Sequence, residues 1–259
     1  MMTDENSMKN DHNASGQSIF EDELANENGN IPLILAAPHA GAIHYPGMRT
    51  RRDNNSQFFS IIQDISTDIL ALETANNMKL RFGIRPYTIF PKIHRRYVDL
   101  NRPIYQSASC SLGRQFHGYY HHTLARIIDD VKDKWDSGLL IDIHGQSADK
   151  FMIYRGTNDG LTVSCLLDRN GWESINGPYS ILGILEDRGY HVHPERTSQA
   201  SEDPRFNGGY TVQTYGSHNP SGLDAIQIEF GSALRNKQSV YKTANDFSYA
   251  LKVFRDHFL

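Results

Sequence analysis

The stretch Leu139 to Gly145 reads Leu-Leu-Ile-Asp-Ile-His-Gly, an apolar run that stops on an imidazole and a glycine. A short, nearly unbroken apolar run is the pattern of a strand buried on both faces, as in a parallel sheet covered by helices. In open sheets of that kind, ligands bind just beyond the carboxyl ends of the strands. His144 therefore stands where chemistry is expected. A second run, Pro32 to Ala37, leads into Pro38-His39-Ala40-Gly41, and a third, Leu223 to Gly231, carries Glu229 near its end. The first expectation is that His39, His144 and Glu229 converge on one site.

The rest of the chain alternates strand and helix signals. Arg85 to Phe90, Lys150 to Arg155 and Tyr190 to His193 read as strands, and alternation over Gly208 to Tyr215 predicts another. The double glycine lets backbone approach a neighbour or ligand, which makes Gly208, Gly209 and Tyr210 candidate substrate contacts. A helix is predicted to start between Gln57 and Ser66 and to stop at Gly83, with Ile61, Ile65, Ile69, Leu72, Ala75 and Met78 on its buried face. Further helices are expected over Ser111 to Trp135, Ser174 to Arg188 and about Ser239 to Phe258. His117 and His121 have the i, i+4 spacing that puts two imidazoles on one helix face, but the Glu of a His-Glu-x-x-His zinc motif is absent. Packed or surface histidines are the preferred reading for them. Residues 1–30 are polar and read as a solvated segment, with Ser18-Ile19-Phe20 as a short edge strand. Residues 31–259 then form a single α/β domain whose mixed, mostly parallel sheet is flanked by helices on both faces.

Composition narrows the function classes. With 259 residues, 39% hydrophobic and 22% charged, the chain can bury a sizeable core. A net charge of −4 gives no electrostatic case for nucleic acid or an anionic membrane as partner. No apolar run approaches the roughly 20 residues that span a bilayer, and the N-terminus lacks an apolar signal core, so a cytoplasmic location is expected. Cys110 and Cys165 are too few for a disulfide framework or a zinc finger.

A hydrolytic zinc site needs about three protein ligands and an open position for water. His39 and His144 fit two of those places, Asp64 fits the third, and Glu229 is the candidate base that moves a proton from water to the leaving nitrogen. Asp142, on the same side of its strand as His144, is a candidate to orient that imidazole, or a charge neutralised in the core. The densest polar cluster, His94-Arg95-Arg96-Tyr97-Val98-Asp99-Leu100-Asn101-Arg102, reads as a solvated loop by composition alone. Its interleaved Tyr97, Val98 and Leu100 point instead to a partly packed segment, and an Arg held beside an Asn is suited to gripping a carboxylate.

Taken together, Pro38-His39-Ala40-Gly41, Asp64-Ile65-Ser66-Thr67, His94 to Arg102, Asp142-Ile143-His144-Gly145 and Gln227-Ile228-Glu229-Phe230-Gly231 resemble the N-formylglutamate amidohydrolase family. The resemblance runs from about Ile31 to Arg235, and the Asp-Leu-Asn-Arg block is its most specific piece. It implies a zinc-carboxypeptidase-like fold and a zinc-dependent amidohydrolase acting on an N-acylated acidic amino acid, releasing formate and glutamate in the type reaction. It further implies His39 and His144 as metal ligands, Glu229 as base or acid, and Asn101 with Arg102 as the grip on a small-molecule substrate's carboxylate. Arg95 or Arg96 would polarise the scissile carbonyl or hold a second carboxylate. Carboxypeptidases take a Glu three residues after the first His, where this chain has Ala42; Asp64 is the family-like substitute and Asp68 the fallback. Two other readings compete: a carboxylate-binding protein of the same fold without catalysis, and a serine esterase using Ser147, which lacks the Gly-x-Ser-x-Gly elbow.

Overall fold

The computed structural model describes residues 19–53, 59–196 and 201–259. In chain order the strands are β1 (Leu24–Glu27), β2 (Leu33–Ala36), β3 (Tyr87–Pro91), β4 (Leu139–Gln146), β5 (Met152–Gly156), β6 (His191–His193) and β7 (Asp224–Gly231). The helices are α1 (Thr67–Phe82), α2 (Ile104–Ser107), α3 (Ser111–Lys134), α4 (Ser164–Asn170), α5 (Glu173–Asn176), α6 (Ile181–Asp187), α7 (Tyr210–Tyr215) and α8 (Val240–Phe258). One seven-stranded sheet runs β1-β3-β2-β4-β7-β5-β6. Its centre, β3-β2-β4-β7, is parallel, β5 runs antiparallel to β7 and parallel to β6, and β1 closes the other edge antiparallel to β3. This is a single-domain, mixed α/β sheet with helices on both faces. No helix among the described residues is long and apolar enough to cross a membrane.

Because successive side chains on a strand point to opposite faces, each central strand feeds two cores. Leu139, Ile141 and Ile143 of β4 join Ile226, Ile228 and Phe230 of β7 in a core covered by α1, α6 and α8. Leu140 of β4 and Ala225 of β7 face the other way, onto Phe116, Tyr120, Leu124, Ile128 and Val131 along one stripe of α3. Further along that second face the apolar residues give way to Asp142 and His144, whose register partners on β7 are Gln227 and Glu229. Glu229 is in turn opposite Tyr154 of β5. The same strands thus hold the core in place at one end and present a polar row at the other.

Four elements depart from the expectations. The edge strand is Leu24–Glu27; Ser18 lies outside the described residues, Ile19 and Phe20 form a turn, and Phe20 is buried among Tyr45, Phe116 and Tyr119. Helix α1 stops at Gly83 as expected, with a left-handed residue whose N–H bonds the Lys79 carbonyl, but it is rotated from the predicted phase. Met78 is buried and Ala75 packs against the core as expected, but Leu70, Ala71 and Thr74 complete the inner face, which packs on α8, and Ile65, Ile69 and Leu72 face outward. Small Ala71 and Thr74 let the two helices approach closely, and that gain outweighs hiding the larger Ile and Leu side chains. The expected start lies between Gln57 and Ser66; the helix begins at Thr67 with Ser66 as its N-cap, and Gln57 lies outside the described residues. The segment Gly208 to Tyr215 is not a strand: Tyr210–Tyr215 is helix α7, although Thr, Val and Tyr favour strands. Tertiary hydrogen bonds to its first N–H groups, described below, override that preference. The predicted helix Ser174 to Arg188 is two pieces, α5 and α6, parted at Gly177-Pro178.

Phe247 of α8 is fully buried and meets Phe230 edge to face at 5.1 Å between ring centres. Phe247→Ala should destabilise the fold by about 3–5 kcal/mol through lost burial and an unfilled cavity. Urea denaturation measures it, and a loss below about 1 kcal/mol would show that α8 does not close this core.

Candidate metal centre and active site

His39 follows β2, His144 lies in the neighbouring β4, and Asp64 comes from the loop that leads to α1. Asp64 is fixed locally: its N–H donates to the His39 carbonyl at 3.3 Å, and Thr67 Oγ1 donates to the Asp64 carbonyl at 2.7 Å. The result is a buried triangle of potential ligand atoms. His39 Nδ1 is 3.2 Å from Asp64 Oδ2, His144 Nδ1 is 3.3 Å from the same oxygen, and the two nitrogens are 3.1 Å apart. Donor atoms on a tetrahedron with bonds of about 2.0–2.1 Å stand roughly 3.3 Å from one another. The triangle therefore fits a small divalent cation. Asp68, the alternative ligand, is exposed in the first turn of α1 and outside the group.

The other ring nitrogens explain why the Nδ1 atoms point inward. His39 Nε2 donates to Asp99 Oδ1 at 2.7 Å, and His144 Nε2 donates to Asp142 Oδ2 at 2.9 Å. Each carboxylate keeps the proton on Nε2 and leaves the Nδ1 lone pair facing the triangle. Asp142 thus occupies the orienting position open to it from the sequence. Asp99 was a named member of the polar cluster without a role; only its i+4 spacing from Arg95 hinted at one. Arg95 donates to Asp99 Oδ2 at 2.8 Å and to Asp64 Oδ1 at 3.3 Å, and Arg51 approaches Asp99 Oδ2 at 3.2 Å. Buried Arg95 thus grips two carboxylates of the protein itself, and Arg51 is a participant that composition gave no reason to single out.

Glu229 lies beside His144 across the β4–β7 ladder and is 9% exposed. Its Oε1 accepts from Gln227 Nε2 at 3.1 Å, and Gln227 Oε1 accepts the Gly209 N–H at 2.7 Å. Asn101 is placed in the same way: Oδ1 accepts the Thr211 N–H at 2.8 Å, and Nδ2 lies 3.2 Å from His144 Nε2. A Cβ at Gly209 would collide with the Asn101 side chain, so the turn needs glycine there. The segment before the turn is anchored by buried Glu202, which accepts from Arg155 Nε at 2.8 Å and from the Thr157 and Asp159 N–H groups at 2.7 and 3.0 Å. The Gly209 to Thr211 turn therefore spends these two N–H groups inside the protein, on the carboxamides beside the site.

The charges sort themselves by burial and pairing. Burial pushes the Asp64 carboxyl up, but His39, His144 and Arg95 outweigh it and hold that group well below the usual carboxylate range. Burial likewise raises Asp99, and His39, Arg95 and Arg51 pull it well below its ordinary value. Burial lowers His144, yet Asp142, Asp64 and Glu229 more than reverse this and favour positive charge on the ring. Glu229 moves the opposite way, pushed up to about 7 by burial and by its carboxylate neighbours Asp64 and Asp142 against the pull of His144. Asp64 and Asp99 are thus held ionised, whereas Glu229 in the same cluster is shifted toward holding a proton.

Other expected residues lie at or beyond the rim. Arg96 is exposed, and Arg102 is half-buried with Nη1 on the Asn101 carbonyl at 2.7 Å. Tyr210 is half-buried against His117 and His121. His117 and His121 donate through Nε2 to the Arg102 and Leu100 carbonyls, each at 2.9 Å, so the pair steadies the Asn101 segment from behind. Burial and the neighbouring His117 drive His121 down to about 3, which keeps it neutral. Ser147 is exposed and makes no hydrogen bond to a histidine among the described residues, so the esterase reading finds no support.

No family model matches the chain, and no curated protein matches it by sequence. Solved structures do. An N-formylglutamate amidohydrolase from Ralstonia eutropha JMP134 superposes with a TM-score of 0.59 at 14% identity, covering 91% of this chain and 98% of that one. A gene product of Agrobacterium tumefaciens superposes with a TM-score of 0.58 at 13% identity, covering 91% and 96%. The chain has the fold of these proteins over nearly its whole length.

Proposed function

We propose that this protein is a zinc-dependent amidohydrolase that cleaves the amide of an N-acylated acidic amino acid of the N-formylglutamate type. The observation that carries the reading is the tetrahedrally spaced His39, Asp64 and His144 triangle with a raised Glu229 carboxyl beside it. The shared fold of the Ralstonia amidohydrolase supports it. Two imidazoles and one carboxylate form a donor set suited to zinc. A bound divalent zinc supplies Lewis acidity, polarising the scissile carbonyl and making water a better nucleophile.

The remaining chemistry is done by the chain. Asp99 and Asp142 keep His39 and His144 in the tautomer that offers Nδ1. Glu229, with a proton affinity near neutrality, takes a proton from the attacking water and returns it to the departing nitrogen. Gln227 holds one oxygen of that carboxylate, which leaves Oε2 for the proton. Arg102, at the rim, is the grip for the substrate carboxylate, and exposed Arg96 is available to a second one. Asn101 supports this grip from within, since its own polar atoms face Thr211 and His144. Arg95 acts on Asp64 and Asp99.

The purified chain should take up one zinc, hydrolyse N-formylglutamate or a close N-acyl relative, and lose that activity to a chelator. Glu229→Gln should keep the zinc, measured by elemental analysis, and lose at least about 100-fold in kcat. Zinc-free protein with chelator-resistant activity would sink the proposal. Asp99→Asn removes the charge behind His39 and should weaken zinc affinity about 10–100-fold, read by competition with a coloured chelator. Arg102→Ala should act chiefly on KM; a fall in kcat at constant KM would place the carboxylate grip elsewhere.

A further inference from the structure

Arg235 belongs to none of the groups above, yet its guanidinium bonds the backbone of three segments that build the site, those carrying Asp64, His144 and Glu229. It lies in the turn between β7 and α8 and is 8% exposed. Nε donates to the Phe230 carbonyl at 3.1 Å, Nη2 to the Gln146 carbonyl at 3.2 Å, and Nη1 to the Ile65 carbonyl. Phe230 follows Glu229, Ile65 follows Asp64, and Gln146 lies just beyond His144. The guanidinium packs flat against Gly145, where an added Cβ would collide with it. The Gly145 N–H itself donates to Asp64 Oδ2 at 3.1 Å.

Resting on the amidohydrolase reading, we infer that Arg235 is a positioning residue that staples the Asp64 loop to β4 and β7 and so sets the geometry of the metal triangle. His39 and His144 sit on or next to paired strands, so the sheet fixes their spacing. Asp64 has no such support; it arrives on a loop whose link to β4 and β7 is this fork of donors together with the Gly145 N–H bond. Only guanidinium offers three divergent N–H directions in one rigid plane, whereas a lysine ammonium on a flexible stem reaches fewer of them. Glycine at 145 is the matching half of the device, because the plane of the fork needs the space a side chain would fill.

The test measures zinc affinity by chelator competition, independent of turnover, in the wild type, R235M, R235K, G145A and the G145A/R235M double variant. R235M and G145A should each weaken zinc binding about 10–100-fold with little change in helix content, and R235K should fall between. The double variant should bind no more weakly than R235M alone, because both remove one contact. Zinc affinity within twofold of wild type in R235M, or losses that multiply in the double variant, would overturn the inference. If R235M does not fold, G145A carries the test alone, since it keeps the arginine and displaces it, and wild-type affinity there overturns the staple. A second readout needs no metal: exchange of the Asp64 and Gly145 amide protons in the metal-free protein should speed up about tenfold in either single variant, and unchanged exchange overturns the role. A wild-type chain that takes up no zinc would defeat the amidohydrolase reading instead, while the exchange measurement still decides the staple.

Discussion

Two imidazole–carboxylate bonds, His39 to Asp99 and His144 to Asp142, govern the rest of the site. A buried imidazole can present either nitrogen, and only a partner on one decides what the other offers. Here both partners are fully buried anions, which are costly to hold away from water unless compensated. For Asp99 the compensation is Arg95 and Arg51; for Asp142 it is His144 itself. Arg95 and Arg51 are therefore engaged inside the protein, on a carboxylate that would otherwise be buried without compensation.

The sheet topology makes this economical. Adjacent parallel strands β2 and β4 place two histidines side by side without any long-range folding device, and β7 adds Glu229 in register with the second of them. One strand face is apolar over most of its length and polar at its end, so the packing that stabilises the domain also aligns the reactive groups. Loops contribute Asp64 and Asp99, the two residues whose positions depend most on guanidinium contacts.

What could be read from the sequence follows the same division. His39, His144 and Glu229 were legible because each ends a short apolar run, and strand ends are where sheet proteins put chemistry. The central strands, α3 and α8 were legible from period and length. The phase of α1 was not, since choosing Ile65, Ile69 and Leu72 as its inner face assumes that larger side chains are always buried, and close helix packing reverses that at Ala71 and Thr74. Helix α7 was misread because its shape is imposed by Asn101 and Gln227 from distant parts of the chain. Arg51, Asp99 and Arg235 were missed for one reason: their partners are neighbours only after folding, and polar residues in loops look alike until then.

The paired carboxamides of Asn101 and Gln227 carry a consequence for which residues the fold can accept. Each receives a backbone N–H with its carbonyl oxygen, so the amide cannot be turned over without setting N–H against N–H. Asp or Glu would match the shape but place another negative charge among Glu229, Asp142 and Asp64. An aliphatic residue at either position would strand one backbone donor beside the site. At these two positions the chemistry of a single functional group, rather than size or hydrophobicity, determines what the interior can hold.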